Sequence, residues 1–307
     1  MQDETAGDPM SEQKWHRSSL RHLRDELAQL GYWLSHTTIA RLLKEMNYSL
    51  KANTKRLAGC QHPDRELQFQ YIASQRAVFL GAGLPVISVD TKKKELIGNF
   101  KNAGQEWCLE ARPVNDHDFE QDALGKAVPY GIYDQTHQRG FVYVGQSADT
   151  PQFAVEMIVR WWQEIGQSLY PNADKILILA DAGGSNGCRP RLWKQPLQEL
   201  LADQLGLEVT ICHYPTGASK WNPIEHRLFG PISVNWAGKP LRTFEFLLAC
   251  IRGTTTKTGL RVEAILVEKV YQKGIKVTNE VMQTLKIEWH SVCPRWNYTI
   301  KPRCAQI

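Results

Sequence analysis

Apolar residues recur along this chain with two different periods, and the change from one to the other divides it. The stretch SSLRHLRDELAQLGYWLSHTTIARLLKEMNYSLK begins at Ser18 and keeps Leu20, Leu23, Leu27 and Leu30 three or four residues apart. That is the spacing of one helix face. Ser18 or Ser19 supplies a cap and Gly31 a stop. After GYWLS, Ser35 can cap a second helix with Ile39, Leu42, Leu43 and Met46 on its apolar side. His36, Thr37, Arg41 and Lys44 then face outward. Two short helices around a glycine-containing turn form a helix-turn-helix pattern, expected over residues 14–60. DRELQFQYIASQRAVFL, residues 64–80, is also amphipathic. Pro63 precedes it and Gly81 to Gly83 end it, so a linker helix is expected over 61–84.

Beyond Gly83 the pattern shortens. VISVD is a β-rich run ending on Asp90, and GKAVPYGIYDQTHQRGFVYVG predicts two strands, around 129–134 and 140–145, joined by a polar turn. TPQFAVEMIVRWWQEIGQSLYP returns to helical spacing, with Phe153, Met157, Ile158, Trp161 and Trp162 on one side. KILILAD is a strand, 192–205 a helix, LEVTICHYP a strand. PIEHRLFGPISVNWAG opens a helix after Asn222, with Pro223 suited to its first turn. Three antiparallel strands followed by strands alternating with helices give a mixed sheet covered by helices. The expected fold is therefore α/β: a ribonuclease H-like mixed sheet flanked by helices over 85–240, preceded by the small all-α helix-turn-helix module. Residues 241–307 are expected to form a helical extension, from LRTFEFLLACIRG and NEVMQTLKI, with a β-like stretch between them.

Composition adds limits. A chain of 307 residues with 42% hydrophobic content suits one large domain plus a smaller one. Its net charge of +5 is unevenly placed: residues 1–13 hold four acids and no Lys or Arg, whereas 14–56 hold nine Lys or Arg against three acids. A basic helical pair suits a polyanion, with Arg17, Arg21, Arg24, Lys51, Lys55 and Arg56 placed for phosphates. The seven cysteines include no CxxC pair, which argues against a zinc site or a disulfide framework. The acidic start lacks an apolar leader and no apolar run reaches membrane-spanning length. A cytoplasmic protein with no membrane partner is expected.

The acids carry the chemistry. Asp90 ends the first strand, Asp181 ends KILILAD, and Glu225 opens the helix after the next strand. A strand-end carboxylate costs desolvation energy unless it is paired or binds a cation. Three converging carboxylates repel, and a divalent metal relieves that; Mg²⁺ prefers such oxygen ligands. Two ions can clamp the attacking and leaving oxygens of a phosphodiester. AGGSNG, after Asp181, would keep the neighbouring loop low enough for a DNA backbone. Asp134 is the rival carboxylate. Lys92, Lys93 and Lys94 follow Asp90, and His213, Lys220 and Asn222 surround the path to Glu225. Lys92, Lys220 and Asn222 are expected to touch DNA; loop structure is the alternative for His213 and its neighbours. Trp161, Trp162 and Trp193 read as packing residues, with Trp221 a stacking candidate.

VISVDTKKKELIGNF, ILADAGGSNG and HYPTGASKWNPIEHRLF together resemble the DDE transposases of bacterial insertion sequences, specifically the ISAzo-thirteen group. The resemblance runs over roughly residues 14–302. It implies that Asp90, Asp181 and Glu225 are the metal-binding triad, with 43 residues between the last two. It implies two Mg²⁺ (or Mn²⁺) ions, cleavage at transposon ends, and attack of the freed 3′-OH on target DNA. The implied partners are end and target DNA and further copies of the chain, in a bacterial, nucleoid-associated setting. Members of the group carry more sequence ahead of this helix pair, so a first DNA-binding unit is expected to be missing here. Two alternatives stay open: a truncated or inactive DNA-binding regulator, and a nuclease of the same fold without strand transfer.

Overall fold

The computed structural model describes residues 19–49 and 62–303, together with the backbone of 5–7 and 14–16. Arg17, Lys51, Lys55 and Arg56 lie outside the described residues. The chain divides into two compact units, Met1–Ala58 and Gly59–Ile307.

In the first unit, β1 (Thr5–Gly7) pairs antiparallel with β2 (Lys14–His16). Helix α1 (Leu20–Gln29) starts at Ser19, whose side chain accepts the amide hydrogen of His22. Helix α2 (His36–Glu45) starts at Ser35, which accepts from Thr38 in the same way. Each such cap contributes about 1 kcal/mol. Gly31, at φ +89°, takes the left-handed turn between them, which a side chain disfavours. The shared core is thin. Leu23 and Ile39 are buried, whereas Leu30, Leu42 and Met46, expected on the packed side, are exposed. Two ten-residue helices have too little facing surface to cover them all.

The second unit is built on one sheet. Helix α3 (Arg65–Gly81) precedes β3 (Val86–Thr91), β4 (Glu95–Ile97), β5 (Gly125–Asp134) and β6 (Arg139–Gly145). Helix α4 (Pro151–Trp161) runs through a wide π-turn into α5 (Gln167–Leu169), then β7 (Lys175–Asp181). Helix α6 (Arg191–Pro196) widens likewise before β8 (Glu208–Tyr214). Helices α7 (Gly230–Asn235) and α8 (Phe244–Arg252), β9 (Arg261–Val267), α9 (Asn279–Thr284), β10 (Ile287–Trp289) and β11 (Asn297–Ile300) complete it.

The strand order is β10-β11-β8-β7-β3-β5-β6-β9, with β4 on β5. Strand β5 is antiparallel to β3 and β6, while β3, β7 and β8 are mutually parallel. This is the ribonuclease H-like arrangement. Alternation along the strands sorts the core. Ile87, Val89, Ile176, Ile178, Val209 and Ile211 face α4 and α6, packing with Phe153, Trp161 and Trp193. On the opposite face, Val86, Leu177 and Leu179 pack under Ile72 and Phe79 of α3, and Val142 and Val144 pack with Leu228, Phe229 and Leu247. Each fully buried side chain of this size contributes roughly 1.5–3 kcal/mol.

Two segments differ from the sequence reading. Helix α3, expected as a linker, is fixed to the sheet. Its buried Gln68 donates to the His213 carbonyl at 2.8 Å and exchanges two amide hydrogen bonds with Asn297. Residues 241–307, expected to be helices with a β-like stretch between them, supply three strands to the sheet: β9 extends one edge beside β6, and β11 with β10 extends the other beside β8. Strands β10 and β11, of three and four residues, leave almost no period to read, and β9 and β11 join strands far away in sequence.

Candidate active site

The strand order reverses at β3, with β5 and β6 to one side and β7 and β8 to the other. In open α/β sheets the crevice beyond the carboxyl ends of such strands is where ligands bind. Asp90 and Asp181 stand at those ends. The β3–β7 register pairs Val89 with Ala180, so the two acids are lateral neighbours. The chain then leaves β8 at Tyr214, turns through Gly217 (φ +76°) and reaches a short 3₁₀ turn, Ser219–Trp221. Glu225 follows as the first residue of a wide helical turn, Glu225–Phe229.

Glycines set how closely that turn can approach. Gly131 is the partner of Asp90 on β5. A Cβ there would lie 2.5 Å from Phe229 Cε1 and 3.0 Å from Ile224 Cδ1. A Cβ on Gly140 would collide with Leu228. Bare backbone at these two strand positions lets the segment carrying Glu225 lie directly on the sheet beside Asp90. The sequence showed both glycines, but a glycine within a strand reads as a weak point, not as a seat for a helix that arrives some ninety residues later.

The three acids strain one another. Burial first, and then the charge of Asp181, push the Asp90 carboxyl up to about 8; Glu225 and Asp149 add to the push, against one hydrogen bond from the Thr91 amide at 2.8 Å. Asp181 is raised by burial, and the Asn222 amide, donating to its Oδ1 at 3.1 Å, opposes this. Glu225 is raised by burial and by Asp181, and lowered by Lys92. Asp149, which accepts from Thr91 Oγ1 at 3.1 Å, is a fourth nearby acid that sequence reasoning missed. It follows a strand by several residues and no pattern marks it.

Burial lowers His213 to about 3, so its ring is neutral. Nδ1 faces the Asp181 carbonyl at 3.1 Å, which only accepts, so Nδ1 carries the hydrogen. Nε2 then accepts from the Tyr298 hydroxyl at 3.2 Å, and that hydroxyl accepts from Trp193 Nε1 at 3.0 Å. His213 thus holds the backbone of Asp181 and does not reach the surface.

Two residues expected at the DNA are also buried. Lys92 is 8% exposed; its ammonium donates to Glu95 at 3.1 Å and lies over the Trp236 ring. Asn222 is wholly buried, with its amide turned to Asp181 and Val89 and its Oδ1 without a partner among the described residues. Sequence order placed them beside the acids, but the packing of strand and helix turns them inward. Lys220 is exposed, its ammonium over the Trp221 ring. Trp221 is 44% exposed and also meets Arg65 and Phe69, whereas Trp161, Trp162 and Trp193 are core. In the first unit, His36, Thr37, Arg41 and Lys44 are exposed on α2, with Arg41 paired to Glu45 at 2.6 Å.

Asp134 lies at the other end of the sheet, opposite Ile87 at the start of β3. It is fully buried and accepts from the Tyr170 hydroxyl at 2.8 Å and the Thr136 amide at 2.9 Å, with the His137 ring also in reach. It is not part of the cluster.

The surface over the acids is open. A cavity of about 290 Å³ lies between Asp90, Asp181, the loop from Ala182 to Gly184 and the turn from Pro215 to Ser219. Added Cβ atoms on Gly183 and Gly184 would touch nothing, so the loop raises no wall there. Ser185 and Asn186 turn inward, and Asn186 accepts from the buried Tyr130 hydroxyl at 3.0 Å. The donor set is all oxygen, which suits Mg²⁺ or Mn²⁺. Among the described residues no three His, Cys, Asp or Glu side chains form a ready-made cage. The acids therefore fit a cation through donor type and mutual repulsion, not as a closed shell. No helix among the described residues is long and apolar enough to cross a membrane.

Comparison with known proteins agrees with the motifs. No curated protein matches the chain. Several solved structures overlap it loosely, three of them as follows. The Mos1 transposase paired-end complex with left transposon end is 14% identical over 75% of this chain and 64% of that one, TM-score 0.44. The Mos1 mariner paired end complex with Mn is 15% identical over the same shares, TM-score 0.42. The mariner Mos1 paired end complex with Mg is 15% identical over 78% and 73%, TM-score 0.46. The chain thus spans under two thirds of the first of these, and the overlap is too loose to bear on the site. The family match is direct: the profile described as the Rhodopirellula transposase DDE domain covers residues 1–302. The chain belongs to that family of ISAzo-thirteen-type DDE transposases.

Proposed function

We propose that the chain is an active DDE transposase, cleaving DNA strands at transposon ends and joining the freed 3′-OH to target DNA. The observation that carries this is the gathering of Asp90, Asp181 and Glu225, from three separate elements, at the switch point of the sheet, where each disturbs another's ionisation. Asp90, Asp181 and Glu225 would hold two Mg²⁺ or Mn²⁺ ions, which supply charge to the attacking and leaving oxygens. The chain's other residues orient the ligands. Asn222 fixes the Asp181 carboxylate, His213 fixes its backbone, and the Thr91 amide fixes one oxygen of Asp90. Such chemistry depends on positioning and charge stabilisation.

In this reading the helix pair within 14–60 recognises the ends. His36 and Thr37 sit at the start of α2, which would enter a major groove, with Arg41 and Lys44 beside them. Lys220, exposed on the short turn that precedes Glu225, meets a phosphate. Copies of the chain assemble on paired ends. The test is a cleavage and strand-transfer assay with purified full chain, Mg²⁺ or Mn²⁺, and DNA carrying the flanking element's ends. Metal-dependent nicking and joining, lost in Asp181→Ala, is the expected result. Nicking without joining would make the protein a nuclease, and binding without either would make it a regulator.

A further inference from the structure

A second cavity, of about 790 Å³, opens on the other side of the Asp181 loop. It shares Ala182, Gly183, Gly184 and Thr216 with the cavity over Asp90 and Asp181. The two adjoin across a rim that is nearly free of side chains. The far wall comes from the turn between β10 and β11. There Trp289 is 50% exposed, its ring braced on Tyr298 at 5.3 Å. Arg189 reaches the cavity from the Asp181 loop and Arg295 from the turn; both are exposed. Neither guanidinium has an ion pair among the described residues. The acid on the lining, Asp64, already faces His62 at 3.6 Å.

The fold uses only part of this: Trp289 packs on its cross-strand neighbour Tyr298, and the two guanidinium groups have no ion pair among the described residues. Trp289 ends an edge strand of three residues, and leaving a large ring half in water gains little burial. An exposed ring and two guanidinium groups without ion pairs among the described residues, lining one cavity, are what an unpaired nucleotide needs: a face for its base and forked donors for its phosphates. The volume falls within the range of about 300–1,000 Å³ that encloses one small ligand, and a duplex is far too wide for it. We propose that this cavity captures an unpaired nucleotide of the DNA strand adjoining the scissile phosphate. Its base stacks on Trp289, and its phosphates meet Arg189 and Arg295. The proposal rests on the strand-transfer reading of the carboxylates and adds a requirement, that the substrate be locally unpaired beside the cut.

The test uses the full chain in EDTA, where no cleavage intervenes, with two DNA hairpins carrying the flanking element's end. One hairpin is blunt. The other has a short single-stranded extension bearing 2-aminopurine. The wild type should bind the extended hairpin more tightly and quench its fluorescence. Trp289→Ala should abolish the quenching and weaken extended binding about tenfold, with blunt binding unchanged. Trp289→Phe, which keeps a ring, should restore most of both. Arg189→Ala with Arg295→Ala should reduce the salt dependence of the extended hairpin alone. Equal binding of the two hairpins by the wild type, or equal losses on both in Trp289→Ala, would overturn the proposal and leave the transposase reading standing. No binding to either hairpin would overturn both.

Discussion

Asp134 and Asp90 sit on neighbouring strands of one sheet, at its opposite ends, and both are substantially buried. Their surroundings differ completely. Asp134 is ringed by donors: a tyrosine hydroxyl, a backbone amide and a histidine ring. Asp90 has one backbone donor and, around it, Asp181, Glu225 and Asp149. A buried carboxylate with matched donors stabilises a fold. A buried carboxylate facing other carboxylates destabilises it until something positive arrives. The two ends of the sheet therefore differ in hydrogen-bond arithmetic, although both present an aspartate on a strand.

The contrast can be broken by exchanging the roles. The largest effect is expected at the crowded end. Asp90→Asn should lower metal-dependent DNA cleavage by roughly 10³-fold, while the thermal midpoint of the metal-free protein stays level or rises. Next comes Gly131→Ala, whose methyl group would lift the segment carrying Glu225. Cleavage should fall by about 10²-fold for a displacement of this kind, with a stability loss of roughly 1–3 kcal/mol by denaturant titration. Asp134→Asn should do the opposite of Asp90→Asn, costing about 1.5–3 kcal/mol of stability and leaving the cleavage rate of the folded fraction unchanged. Destabilisation by Asp90→Asn, or loss of cleavage in folded Asp134→Asn, would dissolve the distinction.

Smaller effects sharpen it. In the unfolded chain Asp90 loses its proton near the usual 3.8, whereas in the fold it keeps it up to about 8. Between those values the native state binds more protons, so stability without metal should fall as pH rises through that window. Asp90→Asn should flatten the slope. His213 behaves in the opposite sense. Its folded value, lowered to about 3, makes the unfolded chain the better proton acceptor below the usual 6.5. Stability should therefore be lost as pH falls from 6.5 towards 3, and His213→Gln should lessen that loss.

Much of this was readable in the sequence where local rules suffice. Ser19 and Ser35 cap the helices as serine before an apolar period predicts. The strand that opens at Val86 and the one that closes at Asp181 announced themselves by continuous β-branched and aliphatic runs, the signature of strands buried on both faces. Strand order brings Asp90 and Asp181 together, whereas Glu225 is added from its place in the helix after β8 and from the resemblance of the motifs. Other features are properties of approach between distant segments. Gly131 and Gly140 matter because of Phe229 and Leu228. Gln68 ties α3 to β11 through Asn297, over two hundred residues away. Lys92 looked free in a lysine run and is held by Glu95 and Trp236. No periodicity encodes such contacts, and Trp289 with Arg189 escaped notice for the same reason.

At the end of the sheet holding Asp90, Asp181 and Glu225, burial and mutual proximity oppose ionisation of the carboxyls until a divalent cation binds them. The most direct measurement is the thermal midpoint of the metal-free full chain near neutral pH during titration with Mn²⁺ or Mg²⁺, beside Asp181→Asn and Asp134→Asn. A cation bound to the native state raises stability with its concentration. The account predicts a saturable rise in the wild type and in Asp134→Asn, and none in Asp181→Asn. A wild type indifferent to the cation, or an equal rise in Asp181→Asn, would contradict it.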